Sequence, residues 1–220
     1  MKKDRLYTDL KRQILTMELE PGTPLDETRI SEAYQISRTP LRDVFRRLAG
    51  EGYLVIVNNR GASVSPMNHK TLRSFFMTAP MIYAAIGRLA ADNATPEQIV
   101  ALKNAQKEFR SALEKQDRET MVFWNDCFHS LMGDMADNIF LQPSYERLLI
   151  DHARISQTFY RPGKRDLQQK MQEAAEHHDA MIDCIAKHDT EGMAALTHQH
   201  WALSRAQMEQ FVRPDPLPVD

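Results

Sequence analysis

Only Gln35 and Ile36 separate the helical run that ends at Tyr34 from the one that Ser37 opens, and no other joint constrains the fold of this chain as tightly. Two helices joined through so short a link must cross steeply, as they do in a helix-turn-helix. Upstream, Leu6, Leu10, Ile14 and Leu15 recur at helical spacing and stop before Pro21-Gly22. Leu25, Ile30, Ala33 and Tyr34 then mark a short second helix beginning near Asp26. In the third helix Ser37 stands at the N-cap and Pro40 in the first turn, with Leu41, Val44, Phe45 and Leu48 forming an apolar face. Arg38, Arg42 and Arg46 fall four apart on another face. Taken alone, such a stripe is the wet side of an amphipathic helix. Its context changes the reading. After Gly52, the β-rich runs Tyr53–Val57 and Ala62–Val64 flank Asn58-Asn59-Arg60-Gly61, which predicts a hairpin with Arg60 at its tip. Three helices and a wing over residues 1–66 predict a winged helix-turn-helix, and its arginine helix has the chemistry to meet phosphates and guanine edges.

Four segments, Pro21-Gly22-Thr23-Pro24-Leu25, Ser37-Arg38-Thr39-Pro40-Leu41-Arg42, Leu48-Ala49-Gly50-Glu51-Gly52 and Arg60-Gly61-Ala62-Ser63-Val64, stand in an order and spacing that resembles the GntR family of bacterial transcription regulators. The resemblance implies operator contacts from Arg38, Thr39, Arg42 and the wing Gly61, with Arg46 one further turn along and Arg60 on the wing. Some members carry an arginine in the second helix where this chain has Thr28, next to Arg29, so no base contact is carried onto either.

Charge divides along the chain. Residues 1–66 hold 11 Lys+Arg against 9 Asp+Glu and the remainder 17 against 21, so any DNA footprint must come from the placement of charge rather than its excess. Cys127 and Cys184 have no paired spacing and read as reduced thiols. No apolar run was expected to cross a membrane or serve as a signal peptide, which points to the cytoplasm. A boundary falls near Ser65-Pro66-Met67-Asn68. Beyond it the periodicity predicts six helices, at about 69–92, 96–114, 117–136, 139–160, 167–187 and 190–211, separated by breakers such as Thr95-Pro96, Asp137-Asn138 and His188-Asp189. The fold class is therefore mostly α: a winged helix-turn-helix followed by an all-α antiparallel bundle of six or seven helices over 67–212. The proline-rich 213–220 reads as a disordered tail.

Within the bundle the histidines carry the chemistry. Asn125 and His129 lie four apart on one helix, and both can point at one spot. His178 and His200 are equidistant from residue 189, where the helical pattern breaks, so an antiparallel hairpin sets them opposite each other. Three imidazoles and an oxygen from Asn125, or from Asp126 as the alternative, suit a divalent ion: zinc, with nickel or manganese as alternatives.

Residues 70–211 also resemble the FadR C-terminal effector domain (FCD). Its metal-binding members carry an Asp-x-x-Phe-His helix, a later His, an Asp eleven residues on and a final His eleven further. Phe128-His129, His178, Asp189 and His200 match that register, with Asn125 where aspartate is usual. The first helix of the domain carries Pro80 and Tyr83 where relatives offer an arginine and a glutamate, and Pro80 is expected to kink it. The resemblance implies a small-molecule effector, a carboxylate or related metabolite, beside the metal. Arg154 is its expected partner, and Tyr83, Trp124, Phe128, Tyr145, Phe159 and Trp201 are candidate lining residues. The reading that follows is a ligand-responsive homodimeric repressor binding double-stranded operator DNA. The rival reading is a metal-dependent hydrolase or lyase, with Asp126 or Glu176 as general base.

Overall fold

The structure, a computed structural model, describes the backbone of residues 2–57, 61–159 and 165–212 and the side chains of 2–57, 61–157 and 168–203. Arg60, the side chain of Phe159 and the 213–220 tail lie outside these described residues, and so do the expectations placed on them.

Three helices, α1 (Lys2–Leu15), α2 (Glu27–Tyr34) and α3 (Arg38–Glu51), precede a two-stranded antiparallel wing of β1 (Leu54–Val57) and β2 (Gly61–Val64), in the register Leu54↔Val64 and Ile56↔Ala62. Asp26 caps α2 by accepting from the N–H groups of Thr28 and Arg29, and Gln35 ends it in the left-handed region at φ 50°, which turns the chain directly into α3. Ser37 occupies the N-cap of α3 in an extended conformation but makes no side-chain cap hydrogen bond, so its expected capping contact is absent. A single core of Leu6, Leu10, Ile14, Leu41, Val44, Phe45, Leu48, Leu54 and Val64 holds these elements together.

Six further helices follow among the described residues: α4 (His69–Asn93), α5 (Pro96–Lys115), α6 (Arg118–Ala136), α7 (Gln142–Phe159), α8 (Arg165–Ala186) and α9 (Thr190–Val212). Several start at capping residues. Asn68 and Thr95 form capping boxes with Thr71 and Gln98, and Asp117 accepts from Thr120 N. α7 begins three residues later than its periodicity suggested, because the Asn138 side chain accepts from the N–H groups of Phe140 and Leu141 and holds them in a turn. α4 runs unbroken through Pro80. By length and composition α4 is apolar enough to cross a membrane, contrary to the expectation from sequence. Its apolarity serves the bundle instead: Phe75, Ala79, Tyr83, Ile86, Ala90 and Ala91 are buried against its neighbours, and Gly87 lets α9 approach so closely that an added Cβ would meet Met193 and Thr197 at 3.1 and 3.2 Å.

The two halves meet through α7. Its Ile150 completes the core of the N-terminal half, its Arg147 lies over Gly52, and Arg154 Nη1 donates to the carbonyl of Ser65 at 2.7 Å.

Candidate metal centre and nucleic-acid interface

Burial of Leu41, Val44, Phe45 and Leu48 on one side of α3 leaves Arg38, Thr39, Arg42 and Arg46 exposed on the other. Arg42 Nε lies 3.1 Å from Glu27 Oε2 and Arg46 Nη1 lies 3.3 Å from Asp43 Oδ1. Both arginines are more than half exposed, so these pairs are weak and readily exchanged. A groove of about 500 Å³ runs between α3 and the wing, lined by Arg42, Phe45, Arg46, Ile56 and Gly61. Gly61, at φ 80°, begins the returning strand in a conformation that favours glycine.

In the bundle, α6, α8 and α9 bring His129, His178 and His200 together, with one potential ligand atom from each lying within 4.8 Å of the others. The α8–α9 hairpin turns at His188, in the left-handed region, and Asp189 Oδ1 accepts from Gly192 N. The hairpin sets the rings of His178 and His200 4.9 Å apart, as their equal distance from residue 189 implied. Phe128 stacks on His178 at 4.2 Å. Tyr145 packs so tightly on Gly133 that a Cβ there would sit 2.8 Å from its ring, and its hydroxyl donates to the carbonyl of His129 at 2.7 Å, fixing α6 at that histidine. Asn125, one turn before His129, is buried on the same helix.

Burial holds all three imidazoles neutral. His129 and His178 are pushed well below the usual histidine range, first by loss of solvent and then by their neighbouring histidines, and His200 is pushed down to about 3 by the same causes. A neutral imidazole always keeps one nitrogen lone pair, which is what a metal requires. Both ring nitrogens of His129, Nε2 of His178 and Nδ1 of His200 are buried without a hydrogen-bond partner. Each of the three rings carries at least one orphaned nitrogen, and one potential ligand atom from each comes within 4.8 Å of the others; such atoms are costly unless something else satisfies them, so the donor set fits a divalent ion of the zinc class.

His152 on α7 was not singled out from sequence. Its ring centre lies 4.6 Å from that of His129, its Nδ1 is 3.0 Å from Tyr83 Oη, and burial pushes it down to about 4. Of the aromatic residues expected here, Tyr83, Phe128, Tyr145 and Trp201 surround the histidines, whereas Trp124 packs with Phe109 and Met121 in a separate cluster.

Two expected site residues have surroundings of their own. Asp126 is not an alternative ligand: it turns away from the histidines into a groove shared with Tyr7, Lys11, Glu51 and Tyr53, where burial pushes its carboxyl up to about 6. Arg154, the expected effector partner, already has partners within the chain. It is fully buried, pairs with Asp151 and bonds to Ser65. The general bases needed by the enzymatic reading are likewise misplaced, since Glu176 is exposed beside Gln172.

Comparison with known proteins follows the same division. The profile of bacterial regulatory proteins of the gntR family matches residues 2–64, and that of the FCD domain matches residues 81–203. The HTH-type transcriptional repressor RspR of Escherichia coli strain K12 is 31% identical over 133 residues, an alignment spanning 60% of this chain and 58% of that relative's length. The galactonate operon transcriptional repressor of the same organism is 24% identical over 218 residues, covering 89% of this chain and 93% of the relative. Among solved structures, E. coli McbR/YncC superposes with a TM-score of 0.80 at 20% identity, over 97% of this chain and 99% of that one, and shares its fold. These relatives are described as regulators of transcription rather than as enzymes.

Proposed function

The chain belongs to the FCD-domain family of GntR-type bacterial regulators, and from that premise we propose that it is a metal-dependent, effector-responsive repressor that binds operator DNA as a homodimer in the cytoplasm. The observation that carries the metal part is the set of orphaned nitrogens on His129, His178 and His200. These three residues would hold the ion, with Asn125 Oδ1 as the oxygen donor. Bound there, a divalent ion supplies a Lewis-acidic position that takes a carboxylate or hydroxyl. All four donors are neutral, so the ion's charge is left for the effector to compensate, which favours an organic acid. The galactonate operon repressor, a relative over most of its length, is named for an operon of a sugar acid, in keeping with that class.

Transmission runs along α7. His152 touches the histidine cluster while Ile150 and Arg154, on the same helix, hold the core and the linker of the DNA-binding half. A shift of this helix on effector binding would move the whole winged unit and change the spacing of two recognition helices across a dimer, a population shift between DNA-competent and incompetent arrangements. Residues 67–212 thus serve sensing and dimerisation, and residues 1–66 serve DNA binding.

Two measurements test the two ends. Metal analysis after chelation and reloading should find one zinc per chain. Zinc at a thousandfold excess over its dissociation constant should stabilise the protein by about 4 kcal/mol, and His200→Ala should abolish both effects. A wild-type chain that takes up no zinc would refute the metal reading. At the other end, Arg42→Ala should weaken operator binding about 10- to 100-fold by the loss of one base or phosphate contact. Unchanged affinity in a titration at fixed salt would remove α3 from the interface.

A further inference from the structure

Gln106 on α5 is buried, carries no charge and belongs to none of the motifs above, yet it is bonded to a proposed metal ligand. Its Oε1 lies 3.1 Å from His178 Nδ1. Its Nε2 donates to the carbonyl of Ala175 at 2.8 Å and to Asp179 Oδ1 at 2.9 Å. The orientation of this amide is dictated by its surroundings. Turned over, it would set an oxygen against a carbonyl and a carboxylate, neither of which can donate. The oxygen therefore faces His178, and an oxygen facing a ring nitrogen at this distance must accept a proton from it. That places the imidazole hydrogen on Nδ1 and the lone pair on Nε2, the buried nitrogen of His178 that has no partner.

Resting on the metal reading above, we propose that Gln106 is the positioning residue of the metal centre: it locks His178 in the Nδ1–H tautomer and aims its Nε2 at the ion. Gln106 is itself held. Asp179 accepts from Gln106 through Oδ1 and from the Arg110 guanidinium through Oδ2, so the carboxylate is fixed from both sides. The line Arg110, Asp179, Gln106, His178 runs from the α5–α8 surface groove, which Arg110 and Asp179 both line, to the buried site. A partner on the second nitrogen of a ligating histidine fixes the ring and raises its basicity, and loss of such a partner typically weakens metal binding 10- to 100-fold.

The test begins with metal-free wild-type protein, where nitrogen chemical shifts of the His178 ring report the tautomer directly. The Nδ1–H form is expected; an Nε2–H ring would overturn the proposal. Gln106→Leu, close in size but without an acceptor, should lose the Nδ1–H preference and bind zinc 10- to 100-fold more weakly. Gln106→Glu keeps an oxygen facing His178 but sets its other oxygen against the Ala175 carbonyl and the Asp179 carboxylate, so it should retain the Nδ1–H form while lowering the melting temperature. Unchanged zinc affinity in a folded Gln106→Leu protein would refute the positioning role, and a purely structural residue would move melting temperature without moving the tautomer. If Gln106→Leu fails to fold, the wild-type ring shifts still decide. Wild-type protein with the expected tautomer but no zinc uptake would support the Gln106 lock while removing the metal reading on which its purpose rests.

Discussion

Replacing Arg154 by methionine is expected to destabilise the protein by about 3–5 kcal/mol, the usual cost of breaking a buried ion pair by removing one partner. Among the described residues Asp151 would keep only Arg147, 3.5 Å away and partly exposed, and the Ser65 carbonyl would lose its donor. The guanidinium, fully buried, is bonded at once to α7's own carboxylate and to the segment joining the two halves of the chain. Arg154→Lys retains the charge but not the fork that reaches both partners, so it should fall between wild type and methionine. Urea unfolding measures this: the midpoint should drop with little change in slope. A methionine variant of wild-type stability would mean that Asp151 and Ser65 find other partners, and α7 would then be a poor link between sensor and DNA-binding unit.

How much of this was written in the sequence depends on whether a residue's role is set along the chain or across it. The helix-turn-helix was legible because the two-residue joint, the Asp26 cap and the wing are all local. The His178–His200 pair was legible because a hairpin converts equal distances from a break into contact. Asn125 and Asp126 show the limit. One residue step rotates a helix by about 100°, enough to place the first on the buried face with His129 and the second against Lys11 and Tyr53. Which of them lay on the buried face needed the angular position of α6, and its apolar stripe of Val122, Phe128 and Met132 already pointed to Asn125. His152 carried a signal that was passed over, since it continues the inward stripe of Tyr145 and Leu149 on α7. For Gln106 and Arg154 no such signal existed. Each acts on a group far away in sequence, His178 and Ser65, and a polar residue in a mixed helix looks the same whether it meets water or a buried partner.

Acidification should unfold the metal-free protein well before ordinary acid denaturation. In the unfolded chain each histidine titrates near 6.5. In the fold His152 is pushed down to about 4 and His200 to about 3, and His129 and His178 are also depressed, all chiefly by burial. Between pH 6.5 and about 4 the unfolded state therefore binds more protons at these four histidines than the folded one, which outweighs the opposite effect of Asp126, pushed up to about 6 in the fold, and stability rises with pH. Read downward, it falls by up to about 1.4 kcal/mol per pH unit for each histidine. His152 and His200 alone remove about 3 kcal/mol between pH 6.5 and 5, a large part of a typical 5–15 kcal/mol. Zinc should respond differently. An exposed histidine site loses metal below pH 6.5 because protons compete for the ligands, but here the fold already keeps them neutral, so the folded protein's affinity for zinc should change little from pH 7 to 5. Urea titrations at pH 7, 6 and 5, with zinc and with chelator, separate the two effects. The chelated midpoint should fall with pH while the zinc-induced increment stays nearly constant. A chelated midpoint independent of pH would show that these histidines titrate alike in both states, and with that the buried neutral cluster would lose its energetic basis.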